Sequence, residues 1–377
     1  MNPSSYLESM KMIHESLLLF LEDETNDIKK FKDFTIIIND QKICDDQHRL
    51  RSFLHLLLKI GDNHNRNNYF FNKIEQILTL LKDHMKKYFS NFDIFTIFRS
   101  NKRILLFLIE EKIIVMDKHI AKKITTNNYY IKAKYPQYFT PEIQPFINEK
   151  WLTKNDKLME DLKKDLPDYF YKERKIGEND NIICKYIQND LIKEFVTYVN
   201  QTNYPLDSTI KESIYETNYF FIKNQVKSNE EKRKFTLIEY ATFFGSIQIF
   251  KYLQIKGIKL TNDLWPLAIH GKNNEIIYIL QENKIEPNHY CGLYFECIKE
   301  SIKCHHNEIV DYLLTNYSQC EVFYHSLKNY NFAFIQIEMI NDSSFFDLCK
   351  YDYYVFVDYL LKNGNFDLNQ KTIKKNI

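Results

Sequence analysis

The sequence contains little glycine, the residue on which phosphate-binding loops and many catalytic turns depend. Only 7 of its 377 residues are glycine. Without a Cβ atom, glycine lets a backbone approach a phosphate closely or turn sharply around a nucleophile. The sequence also lacks a Walker loop and any dinucleotide-binding, nucleophile-elbow or zinc-protease motif. It therefore predicts that the chain is not an enzyme and uses no cofactor.

An excess of charge of one sign is missing as well. The 51 lysines and arginines balance 50 aspartates and glutamates, which gives a formal net charge of +1 at pH 7. Proteins that bind nucleic acid usually carry a basic surface. The most apolar stretch, residues 104–116, is interrupted by Glu110, Glu111 and Lys112, which a membrane span does not tolerate. We therefore expect neither nucleic acid nor a membrane as a partner.

A disulfide framework is not visible in the cysteine pattern. The 7 cysteines are odd in number and scattered along the chain, whereas small secreted proteins carry closely spaced, even sets. The first residues also lack the pattern of a signal peptide. We expect reduced thiols and a cytoplasmic location.

Apolar residues recur with helical spacing through much of the chain. Residues 10–21, 50–60 and 70–81 each repeat them three or four positions apart, which is typical of an amphipathic helix. The β-branched run 34–38 fits a short strand or a helix equally well. We predict an all-α fold that begins with an N-terminal helical region over residues 1–130.

One phrase of this sequence returns along the chain. It reads TLIEYATFFGSIQIFKYL at residues 236–253 and recurs in altered form at 263–280 and 296–313. A repeated unit of this length predicts a solenoid, a fold in which each unit packs on its neighbours and presents surface.

The spacing of the alanines and leucines at equivalent positions supports the presence of a repeat. Ala241 and Ala268 are 27 residues apart. Leu253 and Leu280 are separated by the same distance, and Leu313 follows Leu280 after 33 residues. Because these leucines end the second helix of each unit, we expect Leu253 to lie in the core between neighbouring repeats.

The repeated phrase resembles an ankyrin repeat: a Thr-initiated first helix with a central alanine, a small or polar break, and an apolar second helix. The whole chain resembles the divergent ankyrin-repeat proteins expanded in some parasitic protists, which place an uncharacterised helical region before an ankyrin array. The resemblance implies an ankyrin-like helical-repeat solenoid that binds other proteins. It assigns repeat-structural positions to Thr236, Ala241, Gly245, Leu253, Gly257, Pro266, Ala268, Leu280, Leu313, Leu360 and Gly364.

Two positions depart from the ankyrin pattern. Glu239 stands where an ankyrin repeat has the histidine of its T-P-L-H motif, and the next unit keeps the proline, Pro266, without that histidine. The resemblance therefore does not extend to the hydrogen bonds that this histidine makes between successive turns.

The solenoid and the N-terminal region are predicted to be separated by residues 131–180. This segment contains Pro136, Pro141 and Pro145, followed by highly charged sequence. Since proline interrupts a helix, we interpret it as an insertion or linker before a divergent ankyrin array at 181–370. The helices just before residue 130 already resemble the second helix of a repeat.

Six residues form the group most suggestive of a metal site. The spacings between its cysteines are 6 and 7 residues, whereas structural zinc sites use knuckles of two to four. Cys297 and Cys304 share one helical face, where a buried thiol packs as a small apolar group. We therefore predict no metal among Cys291, Cys297, Cys304, His289, His305 and His306.

The sequence predicts a non-enzymatic scaffold that binds an unidentified protein partner through its repeat surface. An alternative is a self-associating structural or adaptor protein that uses its N-terminal helical region. Of the two tryptophans, Trp265 lies in a helix-opening motif and is expected to be packed. Trp151 is a candidate interaction anchor, because exposed tryptophans are enriched at binding hot spots.

Overall fold

A computed structural model describes residues 2–64, 66–67, 69–152, 156–226, 233–287, 294–317 and 322–363. Regular structure in these residues is helical, and the described β-bridge is an isolated one between Thr209 and Thr236. The predicted all-α class is therefore confirmed. The α-helices are α1 (Pro3–Glu22), α2 (Ile28–Asp40), α3 (Gln47–Asn63), α4 (Phe70–Leu80), α5 (Lys82–Tyr88), α6 (Asn91–Phe98), α7 (Lys102–Glu110), α8 (Lys118–Thr126), α9 (Asn128–Lys132), α10 (Tyr135–Tyr138), α11 (Thr140–Ile143), α12 (Asp156–Lys163), α13 (Phe170–Ile176), α14 (Ile182–Gln188), α15 (Ile192–Thr202), α16 (Tyr219–Val226), α17 (Leu237–Phe244), α18 (Ile247–Ile255), α19 (Leu264–His270), α20 (Asn274–Glu282), α21 (Phe295–Cys304), α22 (Asn307–Asn316), α23 (Phe323–Asn329), α24 (Phe345–Lys350) and α25 (Tyr354–Asn363). Short 3₁₀ helices span Gln144–Phe146, Phe332–Phe334, Ile337–Met339 and Asp342–Ser344.

The ambiguous run 34–38 lies inside α2. Asp27 caps this helix by accepting a hydrogen bond from the backbone N–H of Lys29, which satisfies one of the free donors at a helix start. Phe34 and Ile38 are buried one turn apart on the same face. The cap and the four-residue spacing explain why the β-branched residues adopt a helix here.

The chain divides into two compact units. The first unit comprises residues 1–20, 27–56 and 321–377, and the second comprises 21–26 and 57–320. In the first unit the Tyr6 ring meets the Phe356 ring edge-on at 5.3 Å, and Arg51 pairs with Asp352 at 2.7 Å. The core of this unit therefore joins residues from distant parts of the sequence. The predicted division at residues 130 and 180 stays a prediction.

The segment predicted to be an insertion or linker is packed in several short helices, α10 to α13 among them. Pro136 and Pro141 each stand in the first turn of a helix, where a missing N–H is harmless. The buried Tyr138 hydroxyl donates to the Arg174 carbonyl at 2.7 Å. Such contacts fix this part of the second unit.

Helix pairs follow one another through the second half of the second unit. They are α14 with α15, α17 with α18, α19 with α20, and α21 with α22. The first helices of the pairs pack side by side in chain order, and α15, α18 and α20 do the same. The result is two layers of helices with a shared apolar interior.

The turn inside each pair uses the same backbone conformation. A residue with φ between +48° and +66° follows each first helix: Asp190, Gly245, Lys272 and His305. A residue in the left-handed backbone conformation ends the helical hydrogen-bond pattern, and the chain can then turn back. The turn is therefore a structural repeat even where its residue type changes.

The second helices end in a similar way, at Asn203, Gly257 and Lys284. Beyond the left-handed residue, the Ile258 N–H donates to the Leu253 carbonyl at 3.1 Å. Asparagine is the residue that most readily replaces glycine at such positions. It does so at Asn203, but five of the described left-handed residues are lysines.

Polar side chains connect the successive turns. Each belongs to the residue directly after the left-handed one and reaches a backbone carbonyl of the preceding pair. The bonds run from Ser246 to Ile187, from Asn273 to Gly245 (2.9 Å) and from His306 to His270 (3.3 Å). Turn-to-turn hydrogen bonds thus form at a position other than that of the ankyrin histidine.

Two adjacent turns also approach each other more closely than a side chain would permit. An added Cβ at Gly271 would lie 2.7 Å from the Thr242 carbonyl oxygen and 2.9 Å from that of Phe243. Both are backbone atoms that cannot move aside easily. Gly271 therefore sets the distance between the ends of α17 and α19.

Candidate functional site

The residues predicted to be repeat-structural occupy packing and turn positions. Thr236 caps α17 in a capping box with Glu239, and Gly245 and Gly257 have positive φ. Pro266 is half-buried, while Gly364 lies outside the described residues. The remaining six are buried: Ala241, Leu253, Ala268, Leu280, Leu313 and Leu360. The expected burial of Leu253 is thus observed, and the assignment of these positions to ankyrin repeats stays a prediction.

The two tryptophans differ in their surroundings. Trp265 is buried, and its indole Nε1 donates to the Ile285 carbonyl at 2.7 Å. Trp151 is half-buried, and its Nε1 has no hydrogen-bond partner among the described residues. The proposed role of Trp151 as an interaction anchor stays a prediction.

A groove opens between the α19–α20 and α21–α22 pairs. Its volume is about 390 Å³, and we call it the aromatic groove. Five aromatic residues line it: Trp265, Tyr278, Tyr294, Tyr312 and Tyr317. Tyr278 and Tyr312 come from the second helices α20 and α22, and Trp265 comes from the first helix α19. Tyr294 and Tyr317 flank α21 and α22.

The aromatic rings of the groove support one another. Tyr294 lies edge-on to Trp265 at 5.4 Å and stacks on Tyr317 at 4.1 Å. Tyr317 in turn meets the ring of Tyr312 at 5.9 Å. Such contacts add to the stability of the pair beyond simple burial. The rings are therefore held in place before any ligand arrives.

Three of these tyrosines nevertheless remain accessible. Tyr278 is 59% exposed, Tyr312 52% and Tyr317 39%. Glu308, at the rim, pairs with Lys272 at 2.7 Å, and the same ammonium pairs with Glu22 at 3.0 Å. The groove thus offers aromatic surface beside an ion-paired acidic residue.

Sequence reasoning did not identify these tyrosines. A readable signal exists for one of them, because Tyr312 directly precedes Leu313, a buried leucine of a second helix. A residue next to a core position points toward the border of the core, where an aromatic ring is half-covered.

A second candidate is a buried polar cluster that joins α19 to α21. His270 Nδ1 lies 3.1 Å from Glu300 Oε1 and 3.1 Å from Cys304 Sγ. Cys304 Sγ is 3.5 Å from the same Glu300 oxygen. Glu300 and Cys304 are four residues apart on α21, hence on one helical face. We call His270, Glu300 and Cys304 the buried triad.

Burial and charge set the protonation of the buried triad. Burial lowers the pKa of His270 to about 4, so the imidazole is neutral at pH 7. Burial also raises the pKa of the Cys304 thiol well above its usual value. For Glu300, burial opposes ionisation, but the Lys303 ammonium at 2.8 Å and His270 outweigh it and hold the pKa below the usual range.

This arrangement does not suit nucleophilic catalysis. In a catalytic triad the histidine bridges the nucleophile and the carboxylate through its two different ring nitrogens. Here the same atom, His270 Nδ1, faces both Cys304 and Glu300. The thiol is also fully buried and lacks the depressed pKa of a reactive cysteine. The buried triad thus brings its three donor atoms within 3.5 Å of one another.

A polar cavity of about 340 Å³ adjoins the buried triad, with His270 in its wall. Arg66, Arg103 and Glu178 also line it. Arg66 donates to the Thr217 hydroxyl at 3.2 Å, and burial raises the pKa of Glu178 to about 6. His270 thus borders the cavity, whereas Glu300 and Cys304 are not among the residues that line it.

Compared with protein-family models, curated proteins and solved structures, the chain matches none. Among the described residues, the helices are too short or too polar for any of them to cross a membrane.

Proposed function

We propose that this chain is a non-enzymatic scaffold that binds another protein through the aromatic groove. The observation that carries the proposal is the set of three accessible tyrosines, Tyr278, Tyr312 and Tyr317, on a wall of mutually packed rings. Tyrosine and tryptophan contribute binding energy more often than other residues. Since ring contacts already restrict Tyr312 and Tyr317, these two lose little side-chain entropy on binding.

We further propose that the array is an ankyrin-like solenoid. The consecutive helix pairs, the recurring left-handed turn residues and the hydrogen bonds from one turn to the next support this. In such arrays each unit adds surface, and changing one exposed position leaves the neighbouring units intact. A groove between two pairs is therefore a natural place for a partner.

The partner that fits the groove best is an amphipathic helix of another protein. The groove follows the valley between α20 and α22, and its acidic rim residue is already paired with Lys272. An apolar stripe with side chains at positions i, i+3 or i+4, and i+7 would fill such a valley. We place this interaction in the cytoplasm, because the described cysteines are free thiols and such thiols persist in reducing compartments.

The test compares two double variants of the full chain. Tyr278→Ser/Tyr312→Ser alters the groove, and Tyr169→Ser/Tyr171→Ser alters two equally exposed tyrosines elsewhere (53% and 54%). Each protein is used to capture partners from lysate, and the Kd of the captured partner is then measured. The groove variant should bind the partner more weakly, with a binding free energy reduced by at least about 2 kcal/mol and a Kd raised roughly 30-fold. The Kd of the matched control should equal that of wild type.

Equal binding by both double variants would refute the groove as the binding surface. Sedimentation of the chain alone addresses self-association. A stable dimer that persists in the groove variant would instead favour the adaptor that associates through its N-terminal helical region.

A further inference from the structure

We propose that the buried triad of His270, Glu300 and Cys304 is a zinc-binding site that fastens α19 to α21. This assignment is independent of the aromatic groove. It rests on three donor atoms of suitable chemistry that converge within 3.5 Å of one another. All three residues belong to the second unit.

The separations between the donors suit a small tetrahedral ion. Zinc binds imidazole nitrogen and carboxylate oxygen at about 2.0–2.2 Å and thiolate sulfur at about 2.3 Å. Tetrahedral angles then place the donors roughly 3.3–3.6 Å apart. The observed separations of 3.1, 3.1 and 3.5 Å reach these values after small side-chain movements. A mixed nitrogen, oxygen and sulfur set also favours zinc over magnesium or calcium, which prefer oxygen alone.

Hydrogen bonds alone leave one close contact of the buried triad without a proton. His270 Nδ1 can donate to Glu300 Oε1 at 3.1 Å and the Cys304 thiol can donate to the same oxygen at 3.5 Å, which leaves no proton between Nδ1 and Sγ at 3.1 Å. A cation at the common centre would satisfy all three atoms together. When the thiol releases its proton to water, one thiolate and one carboxylate oppose Zn²⁺, and the Lys303 ammonium beside Glu300 leaves the group with a single positive charge.

The surroundings supply a second shell of the kind that metal ligands require. Lys303 donates to both oxygens of Glu300, at 2.8 and 3.1 Å, which orients the carboxylate. Phe243 stacks on the His270 ring at 4.0 Å and fixes its plane. The chain supplies three ligands, so a water molecule would be the fourth, and the site would be more open than a structural site with four protein ligands.

The site differs from the metal group suggested by the sequence. There Cys304 was considered with Cys297 and the two following histidines, and packing was preferred. In the structure, Cys297 is buried without belonging to the triad. The neighbours of Cys304 are Glu300, one turn earlier, and His270 from the previous pair.

The test uses the full chain, treated with a chelator and titrated with Co²⁺ as a coloured substitute for Zn²⁺. Wild type should bind one equivalent and develop a near-ultraviolet thiolate-to-cobalt charge-transfer band, which Zn²⁺ then removes. Cys304→Ser should abolish the band. Glu300→Gln should weaken binding at least about tenfold, while Cys297→Ser on the same helix should match wild type.

Two further measurements guard against a folding defect. Far-ultraviolet circular dichroism should show native helix content for each variant without metal, and Zn²⁺ should raise the unfolding midpoint of wild type and Cys297→Ser but not of Cys304→Ser. If Cys304→Ser does not fold, Glu300→Gln and wild type still decide the question. Failure of wild type to bind one equivalent, a band that survives in Cys304→Ser, or equal loss in Cys297→Ser would overturn the proposal.

Discussion

Shortening Leu253 to alanine provides a direct test of the helix array. Leu253 is fully buried in α18, a helix that packs against α15, α17 and α20. The substitution removes three carbon atoms, worth roughly 2.4 kcal/mol at about 0.8 kcal/mol per CH₂ group. A residual cavity adds to this, so we expect a total loss of about 2–5 kcal/mol.

The same helix supplies a matched control. Ile255 is 82% exposed only two positions away, so Ile255→Ala should change stability by no more than about 0.5 kcal/mol. Both substitutions place alanine in the same helix, and leucine and isoleucine differ little in helix propensity, so the comparison largely removes this effect.

Urea unfolding followed by tryptophan fluorescence measures the difference. The chain has two tryptophans, and replacing Trp151 with phenylalanine in every variant leaves Trp265 of α19 as the reporter of the array. Leu253→Ala should lower the midpoint without altering the slope. A loss below about 1 kcal/mol for Leu253→Ala, or similar losses for both variants, would show that α18 is not packed in this register.

Further predictions concern glycine and a buried lysine. Gly257→Ala should lower the free energy of unfolding by about 1 kcal/mol, because its φ of +88° is unfavourable for alanine. The added Cβ itself would meet no atom within 4 Å. Gly271→Ala should lower the free energy of unfolding by more than Gly257→Ala does, because its Cβ would meet backbone carbonyl oxygens and force the backbone to shift. A lower unfolding midpoint for Gly257→Ala than for Gly271→Ala would contradict this prediction. Burial lowers the pKa of Lys102 to about 7, so in the folded state its charged form is disfavoured and stability rises with pH above this value. Lys102→Met should therefore be more stable than wild type at pH 6. Because the wild type gains stability as the pH rises, this difference in the free energy of unfolding should shrink by about 2–3 kcal/mol at pH 9.

The lysine prediction is checked by urea unfolding of both proteins across that pH range. The Lys102 ammonium donates to the Ile214 carbonyl at 2.9 Å, a bond that methionine cannot make, so the gain at pH 6 is smaller than the full relief of burial. A difference between the two proteins that does not change with pH would show that Lys102 titrates outside this range.

The sequence was sufficient for the helical class and for the buried side of several helices. The spacing of the repeats placed Leu253 in the interior, where the structure has it. Periodicity reports which face of a helix is apolar, and that property is local. The choice between helix and strand at residues 34–38 needed the cap at Asp27, which periodicity does not describe.

The two candidate sites needed information that is not local. The four-residue spacing of Glu300 and Cys304 was readable, but His270 joins them only because α19 packs beside α21. In the same way, a tyrosine beside a core leucine can be covered or exposed, and the neighbouring helix decides which. Pairwise packing between helices, rather than the pattern within one helix, was the missing step.

The first unit combines residues from both ends of the sequence, which affects how the protein folds while it is being synthesised. Arg51 and Asp352, which pair in that unit, are separated by 301 residues, and Tyr6, only 1% exposed when folded, packs on Phe356. A ribosome that adds ~5–20 residues per second would need roughly 15–60 s to produce the later partner after the earlier one. During that interval the apolar faces of the first helices are uncovered, so nascent chains and C-terminally truncated forms should need chaperones that the finished protein does not.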